Sequence, residues 1–249
     1  MARWLGLIYT TLAYVYFLGI VLYLIGFLTN QAVPRSIDAG GPNAGGIAGA
    51  LIDVGLLALF AVQHSVMARG WFKRGWTKVV PAALERGTYV LVTNLALTLV
   101  FWQWRPLPAR IWAVTNPLGA GVLWVIFAVG VVVAIAATFL INHFDFVGLR
   151  QAWIYVRRRE YSYLPFSERV FYRFIRHPLM LGLLLAFWVT PFMTVGHALF
   201  AATFTVYILL GTQLEERDLA RYLGAAYRDY QRRVPMLLPW RGARPLSKS

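Results

Sequence analysis

The chain has 249 residues, of which 59% are hydrophobic and 14% charged, with a net charge of +14 and no cysteine. Soluble domains are about 45–50% apolar, so this composition indicates a membrane protein. The lack of cysteine excludes disulfides, thiolate metal sites and a cysteine nucleophile. In a membrane protein, the positive charge fits Lys and Arg in cytoplasmic loops, and nucleic acid is not an expected partner.

Six apolar segments predict helices. Four of them approach the roughly 20 residues that a helix needs to cross a bilayer: 5–28, 47–67, 88–104 and 118–141. The first is too long for the apolar region of a signal peptide, so we interpret it as a retained helix. The last two segments, 179–191 and 195–212, are shorter, and Pro191 forbids one straight helix through both. They predict a tight helical hairpin.

The predicted fold is an all-α integral membrane protein with about five to six transmembrane helices in a single domain, 1–249. Residues 1–141 form its four-helix membrane part. Residues 142–249 form a catalytic part that faces the cytoplasm and contains the hairpin 179–212. From 213 to about 233, charged and apolar residues alternate at helical spacing, which predicts a cytoplasmic helix that Pro235 and Pro239 end.

The loop charges predict the orientation. If the N-terminus, 68–87, 142–177 and the tail after 213 lie on one side, that side carries 21 of the 24 Lys and Arg residues. The other side holds only Arg35, Arg105 and Arg110. The positive-inside rule makes the richer side cytoplasmic, with both termini inside, as in a bacterial inner membrane.

Membrane lipid is an expected partner of the stretch 148–175. This stretch mixes aromatic side chains with Arg157–Arg159, and the aromatic residues include Trp153, Tyr155, Tyr161, Tyr163, Phe166 and Phe171. Such a mixture is typical of an element in the headgroup region, with aromatics inward and arginines toward anionic lipid. The sequence does not predict an oligomeric state.

Two polar motifs bracket the hairpin. Pro178 suits the first position of a helix, and the free N–H groups there, with Arg176 and His177, would favour a carboxylate. A juxtamembrane basic anchor is the alternative. At the other end, Glu215 or Glu216 could bind an ammonium group or a ribose, since neighbours on a helix point about 100° apart. Solvated acids paired with nearby arginines are the alternative.

Two further polar groups lie at predicted cytoplasmic helix ends. His143 and Asp145 could orient each other, with Asn142 before them and Arg150 beyond, and a histidine is the usual proton acceptor near neutral pH. A helix-ending polar cluster is the alternative. His64 could be catalytic or could form a hydrogen bond between helices. No metal site is predicted, because the histidines lie on different elements.

The C-terminal motifs resemble the signature of integral-membrane methyltransferases, which include isoprenylcysteine carboxyl methyltransferase and phospholipid N-methyltransferase. The residues that carry the resemblance are Arg176-His177-Pro178, Gly182, Glu215-Glu216, Leu219, Leu223-Gly224, Tyr227, Tyr230 and Val234. Met180 stands where tyrosine is usual and Leu223 where phenylalanine is usual. These departures weaken the inference about substrate more than the inference about cofactor.

The upstream segments narrow the resemblance. Residues 142–151, with Gln63-His64-Ser65, are similar to the methanethiol S-methyltransferases, whose N-terminal half is similar to NnrU-type membrane proteins. The resemblance then covers about 51–239. It implies transfer of a methyl group from S-adenosylmethionine to the small-molecule thiol methanethiol, which gives dimethyl sulfide.

The resemblance also implies a cofactor site in the hairpin and the following helix. Carboxylate binding and the cleft wall would fall to Arg176, His177, Pro178, Leu179, Leu181 and Gly182. Glu215 or Glu216 would take the ammonium or ribose, and Tyr227 or Tyr230 would close the pocket.

The acceptor thiol has to lose its proton, because the thiolate is the nucleophile. We expect His143, oriented by Asp145, to accept that proton, with His64 as an alternative base or pocket wall. Asn142 and Arg150 are expected beside the acceptor. Three alternatives stay open: a prenylcysteine carboxyl or phospholipid methyltransferase, a non-enzymatic NnrU-like membrane protein, and a redox enzyme with a related hairpin.

Overall fold

A computed structural model describes residues 1–43, 45–162 and 170–238. The described chain is mainly helical, with one short two-stranded ribbon. The helices are α1 Ala2–Thr29, α2 Gly46–Ala68, α3 Gly70–Trp76, α4 Ala82–Gln103, α5 Pro117–Ile141, α6 His143–Phe146, α7 Leu149–Val156, α8 Pro178–Trp188, α9 Val195–Leu223 and α10 Ala225–Arg233. The strands are β1 Arg110–Ala113 and β2 Phe192–Thr194, and Val170–Arg173 forms a 3₁₀ turn.

The chain is an integral membrane protein. Within the described residues, four helices are long and apolar enough to cross a bilayer: α1, α2, α5 and α9. Helix α4 has 22 residues but includes Glu85 and Arg86. Helix α8 has only 11 residues, so at about 1.5 Å per residue it is too short to cross a bilayer on its own. Helices therefore occupy all six segments that the sequence predicted as helical.

The chain divides into two compact units, each made of separated segments. Unit 1 comprises Met1–Val114, Asn142–Tyr163 and Phe192–Thr203, and unit 2 comprises Thr115–Ile141, Leu164–Pro191 and Phe204–Ser249. Both units draw on the predicted membrane part and on the predicted catalytic part of the sequence. The single membrane domain stays a prediction.

In unit 1, Phe27 of α1 and Trp104, which follows α4, pack edge to face with 5.7 Å between ring centroids. Strands β1 and β2 pair antiparallel in this unit, although the sequence showed no sign of a sheet. Trp104 is fully buried and donates its indole N–H to the Ile37 carbonyl at 3.0 Å. Asp53 is also fully buried, and its Oδ1 accepts the Arg105 backbone N–H at 2.8 Å. The buried acid therefore fixes the chain just after α4.

In unit 2, α5 and α8 pack with their backbones close together. A side-chain carbon added at Gly182 would lie 2.5 Å from both the Ala134 nitrogen and the Gly130 oxygen. The absence of side chains at Gly130 and Gly182 therefore permits this approach. On its other side α8 contacts α9, where the Trp188 indole N–H donates to the Thr205 hydroxyl at 2.9 Å.

The C-terminal helix of the sequence prediction is interrupted in the structure. Helix α9 runs to Leu223, Gly224 follows with φ 65°, and α10 begins at Ala225. That backbone angle suits glycine, which has no Cβ to clash. The turn brings α10 back so that Tyr227, Tyr230 and Val234 form a small buried core with the end of α9. Pro235 follows α10 as predicted, while Pro239 lies outside the described residues.

Candidate active site

Glu216 is the centre of a buried hydrogen-bonded cluster in unit 2. Its Oε1 lies 2.7 Å from the His177 Nε2 and accepts the Tyr227 hydroxyl at 2.9 Å. Its Oε2 accepts the Gln231 side-chain amide. The Arg176 Nε lies 3.1 Å from Oε1, close enough for an ion pair though outside hydrogen-bond geometry. We call these five residues the Glu216 cluster. A carboxylate has about four acceptor positions, so protein donors nearly saturate this one.

The backbone brings the two ends of the motif together. The N–H groups of Arg176 and His177 donate to the carbonyls of Pro235 and Met236, at 3.0 and 3.1 Å. The Arg176 Nη1 also donates to the Gln231 carbonyl at 3.0 Å. The tail after α10 therefore pairs with the chain before α8. Because of this pairing, Arg176 and His177 reach Glu216 across the sequence.

The two adjacent glutamates have different environments, as their helical spacing predicted. Glu216 is 7% exposed, whereas the Glu215 side chain is 51% exposed. The Glu215 Oε2 lies 3.8 Å from the His177 Nδ1. Of the two, Glu215 is therefore the acid that a soluble ligand can reach without breaking the cluster.

Three tyrosines support the cluster. Tyr227 and Tyr230 are buried, and the Tyr230 hydroxyl donates to the Tyr172 carbonyl at 2.6 Å. Burial, together with the hydrogen bond to Glu216, raises the pKa of Tyr227 well above its ordinary value of 10.0. Burial also raises the pKa of Tyr172, and the negative charge of Glu215 adds to that rise. The Tyr227 hydroxyl is therefore protonated at neutral pH and donates to Glu216.

Helix α8 starts at the cluster. Pro178 is its first residue and His177 precedes it as the N-cap, as the sequence predicted. The unpaired N–H groups of such a first turn favour an anion. Leu179 and Leu181 belong to this region, and Gly182 faces α5. The contact with α5 explains Gly182 by helix packing, and its role toward a cofactor stays a prediction.

His64 joins two helices of unit 1. Its Nε2 lies 2.7 Å from the Tyr89 hydroxyl and its Nδ1 3.2 Å from the Thr93 hydroxyl, so it bridges α2 and α4. Phe60 stacks on the imidazole with 5.3 Å between ring centroids. These contacts match the hydrogen-bonding alternative that the sequence left open. A catalytic role for His64 stays a prediction.

The segment around His143 is held by several separate contacts in unit 1. His143 is 5% exposed, and its Nε2 lies 3.0 Å from the Tyr14 hydroxyl of α1. The Asp145 carboxylate pairs with Arg150 at 2.9 Å and accepts the Tyr161 hydroxyl at 3.0 Å. Tyr14 is thus a hydrogen-bond partner that the sequence did not predict for His143. Orientation by Asp145 stays a prediction.

Asn142 and Arg150 have structural partners of their own. The Asn142 Oδ1 accepts the Asp145 backbone N–H at 3.1 Å and caps the short helix α6. Both Nη atoms of Arg150 donate to the Ser162 carbonyl at 3.1 Å. These contacts match the polar cluster that the sequence offered as an alternative. Direct contact with an acceptor stays a prediction for both residues.

Arg86 connects the surroundings of His64 to those of His143. Its Nε donates to the Phe146 carbonyl at 2.7 Å, and its guanidinium lies 5.0 Å from the centre of the Tyr89 ring. Unit 1 thus brings both predicted bases to the same end of its helices. At this end Arg3 donates to the Tyr155 carbonyl of α7, and Lys73 pairs with Glu85 of α4.

Sequence reasoning missed Gln231, Tyr14 and Arg86. Gln231 stands four residues after Tyr227, so both lie on one face of α10, and that spacing could have indicated it. Tyr14 comes from a helix 129 residues before His143 and Arg86 from another helix. No local pattern links either residue to its partner, because those contacts depend on how the helices pack.

Groups of both charges lie at and beside the Glu216 cluster. Arg176 and the first turn of α8 offer positive potential for a carboxylate, and the reachable Glu215 offers negative charge for an ammonium group or hydroxyls. The cluster supplies binding groups rather than a proton acceptor, since Glu216 is engaged by its donors. A base for an acceptor has to come from other residues.

The NnrU protein family matches residues 53–238. Methanethiol S-methyltransferase of Crocosphaera subtropica is 47% identical over 97% of this chain and 94% of its own length. Methanethiol S-methyltransferase of Mycobacterium tuberculosis is 49% identical over 96% of this chain and 98% of its own length. Nurim of Homo sapiens is 32% identical over 74% of this chain and 72% of its own length. No solved structure matches the chain.

Proposed function

The chain belongs to the NnrU family, and we propose that it is a methyltransferase that converts methanethiol to dimethyl sulfide with S-adenosylmethionine as methyl donor. Relatives named methanethiol S-methyltransferase, at 47–49% identity over nearly the full length, support the reaction. The observation in the structure that carries the proposal is the Glu216 cluster, in which the two motifs at the ends of the hairpin meet. Similarity alone does not decide, because the chain is also similar to Nurim, whose name states no activity.

The residues of unit 2 fit the methyl donor. Its carboxylate would lie at Arg176 and the first turn of α8, and its ammonium group or ribose at Glu215. Glu216 would hold Arg176, His177 and Tyr227 in position. When bound, the cofactor supplies a methyl group on a sulfonium, which is already a good leaving group.

We also propose the orientation that the charges predict. Arg176 and Glu215 would then face the cytoplasm, where a soluble cofactor is available, in a bacterial inner membrane with both termini inside. The positive-inside rule and the 21 Lys and Arg residues on that side support it. The number of spans would be five to six if α4 crosses and the α8–α9 hairpin enters the bilayer. Lipid would surround the exposed apolar faces of α1, α2 and α5.

The direct test is dimethyl sulfide in the headspace above cells given methanethiol, with and without the gene. We expect the product only in cells that express the chain. Expression without product would contradict the proposal. Product from a prenylcysteine or phospholipid acceptor in its place would identify one of the alternative methyltransferases.

A binding experiment tests the cofactor site separately. Purified protein is titrated with S-adenosylhomocysteine, and Arg176→Ala is compared with Arg217→Ala. Both variants remove one positive charge, but Arg217 is exposed. Because a hydrogen bond to a charged group contributes about 1.5–3 kcal/mol, we expect Arg176→Ala to weaken binding about tenfold or more. Equal affinities for the two variants would place the cofactor elsewhere.

A further inference from the structure

Unit 1 contains two tyrosine–histidine pairs that differ in access. The Tyr89 hydroxyl lies 2.7 Å from the His64 Nε2, and the Tyr89 side chain is 7% exposed. The Tyr14 hydroxyl lies 3.0 Å from the His143 Nε2, and Tyr14 is only partly buried while His143 is 5% exposed. In the second pair the tyrosine is therefore the more accessible partner.

The proton in the Tyr14–His143 pair can be assigned from chemistry. Burial lowers the pKa of His143 below its ordinary value of 6.5, so the imidazole is neutral at neutral pH. In a neutral imidazole one nitrogen donates and the other accepts. A phenol is a stronger donor than acceptor, so we assign the Tyr14 O–H as donor and the Nε2 lone pair as acceptor.

This assignment changes which atom can meet a substrate. The lone pair of the His143 Nε2 already receives the Tyr14 proton, so that nitrogen cannot directly take a proton from a thiol. The Tyr14 oxygen keeps its own lone pairs and belongs to the more exposed ring. Sequence reasoning placed His143 at the acceptor. The geometry places a tyrosine between the imidazole and any acceptor that approaches Nε2.

We propose that Tyr14 is the group that takes the proton of the acceptor thiol and that it passes its own proton to His143. The proposal rests on the proposed function. In this step the S–H bond breaks and an O–H bond forms on Tyr14, while the former Tyr14 proton moves to the His143 Nε2. The sulfur keeps the electron pair with which it bonds to the methyl carbon. The imidazolium later releases the extra proton to water.

A relay of this kind avoids a charged tyrosine. Both proton transfers can occur together, so the positive charge forms on the histidine and the negative charge on the sulfur. Other charged or titratable groups around the pair, from α4, α6, α7 and α2, are Arg86, Asp145, Arg150, Tyr89 and His64.

The test compares Tyr14→Phe with Tyr9→Phe in the full-length protein. Tyr9 lies on the same helix, and its hydroxyl donates to the Thr88 hydroxyl of α4 at 3.0 Å, with no histidine in that bond. Each variant loses one hydroxyl that joins α1 to another element. Dimethyl sulfide formation is measured from neutral to alkaline pH, and S-adenosylhomocysteine binding is measured beside it.

We expect Tyr14→Phe to lower kcat/KM for methanethiol about 100-fold at neutral pH, within the range of general base catalysis. The deficit should shrink as pH rises toward the thiol pKa, because more of the thiol is then already ionised. Tyr9→Phe should keep the wild-type rate, and both variants should bind S-adenosylhomocysteine as the wild type does.

Two results would overturn the relay. A Tyr14→Phe rate equal to that of Tyr9→Phe would show that the hydroxyl is not used. A deficit that is the same at every pH would show a structural role, since a misplaced helix does not respond to thiol ionisation. If the wild type itself makes no dimethyl sulfide, the proposed function fails and the relay falls with it. An active wild type with an unaffected Tyr14→Phe overturns the relay alone.

Discussion

The buried polar groups of the two units differ in charge. In unit 2, Glu216 receives three side-chain hydrogen bonds and faces the guanidinium of Arg176. In unit 1, His64 and His143 pair with tyrosine hydroxyls, and the buried acid Asp53 accepts one backbone N–H. Of these buried groups, unit 2 thus contains an ionic cluster and unit 1 contains two histidine–tyrosine pairs, while the Asp145–Arg150 ion pair of unit 1 is only partly buried.

The ionic cluster of unit 2 suits the cofactor of the proposed reaction. S-adenosylmethionine is charged at several atoms, and ionic groups recognise it by complementary charge. Methanethiol is small and neutral, so charge offers nothing with which to hold it, and neutral residues suit it better. A neutral histidine–tyrosine pair can also accept a proton. The ionised Glu216 carboxylate is a poor proton acceptor, because its donors already engage it. Substituting each buried group in turn should separate the two kinds of site.

The largest effect is expected for Glu216→Gln. The substitution keeps the shape of the side chain but removes the charge that faces Arg176. It also replaces one carboxylate oxygen with an amide N–H₂ group, which cannot accept the hydrogen bonds that the cluster donates. Breaking a buried pair by removing one partner costs about 3–5 kcal/mol. We therefore expect a lower Tm in detergent and loss of S-adenosylhomocysteine binding.

Glu215→Gln is the matched control for this substitution. Glu215 is half exposed and lies outside the core of the cluster, so its removal should leave Tm unchanged. If Glu215 contacts the ammonium group or ribose, the affinity for S-adenosylhomocysteine should still fall. A Tm loss as large for Glu215→Gln as for Glu216→Gln would contradict the separate roles of the two acids.

The next effect is expected for Gly182→Ala, which tests how the ionic cluster is positioned. A methyl group there would lie 2.5 Å from backbone atoms of α5, so α8 would have to move, and with it Arg176 and His177. Overpacking of this kind costs about 1–3 kcal/mol. Thermal unfolding of Gly121→Ala is the control. Gly121 lies on α5, the helix that Gly182 contacts, but open space surrounds it. Similar Tm values for the two variants would remove packing as the explanation of Gly182.

The sequence predicted the parts of the fold that depend on local pattern. The apolar segments placed the helices, Pro178 marked the start of α8, and the adjacent glutamates were expected to face different ways. The β1–β2 ribbon was not predicted, because its two short strands lie about 80 residues apart and pair only once the helices are packed. For the same reason Asp53 had no partner in the sequence, since the Arg105 N–H reaches it only after α4 ends beside α2.

The candidate site shows the same limit. The methyltransferase motifs located Arg176, His177, Glu216 and Tyr227, and the structure joins these four in one cluster. The roles within the cluster did not follow from the motifs, because burial decides that Glu216 organises it and that Glu215 is accessible. Tyr14 could not be predicted at all, since its contact with His143 depends on tertiary packing.

A smaller effect is expected for Tyr227→Phe, which removes one donor of the ionic cluster. The other donors to Glu216 remain, so the loss should be about 1 kcal/mol. Because the pKa of Tyr227 is raised in the folded protein, its contribution to stability is fully present below its unfolded pKa of about 10. It is lost as pH rises through the higher folded value. The Tm difference between wild type and variant should therefore stay constant from pH 6 to about 9 and shrink above about 10. A difference that changes near neutral pH would mean that another group controls this bond.

The smallest effect is expected for Asp53→Asn, the counterpart in unit 1 of Glu216→Gln. The amide oxygen can still accept the Arg105 backbone N–H, and the described residues place no hydrogen-bond donor at the Asp53 Oδ2 that the amide nitrogen replaces. We expect a Tm change that corresponds to less than about 1 kcal/mol, because a neutral hydrogen bond replaces one to a carboxyl group. Asp53→Leu, which removes the acceptor and leaves a buried N–H unpaired, should cost about 1–3 kcal/mol. A loss for Asp53→Asn as large as that for Glu216→Gln would mean that Asp53 also depends on its charge, and the contrast between the buried acids of the two units would fail.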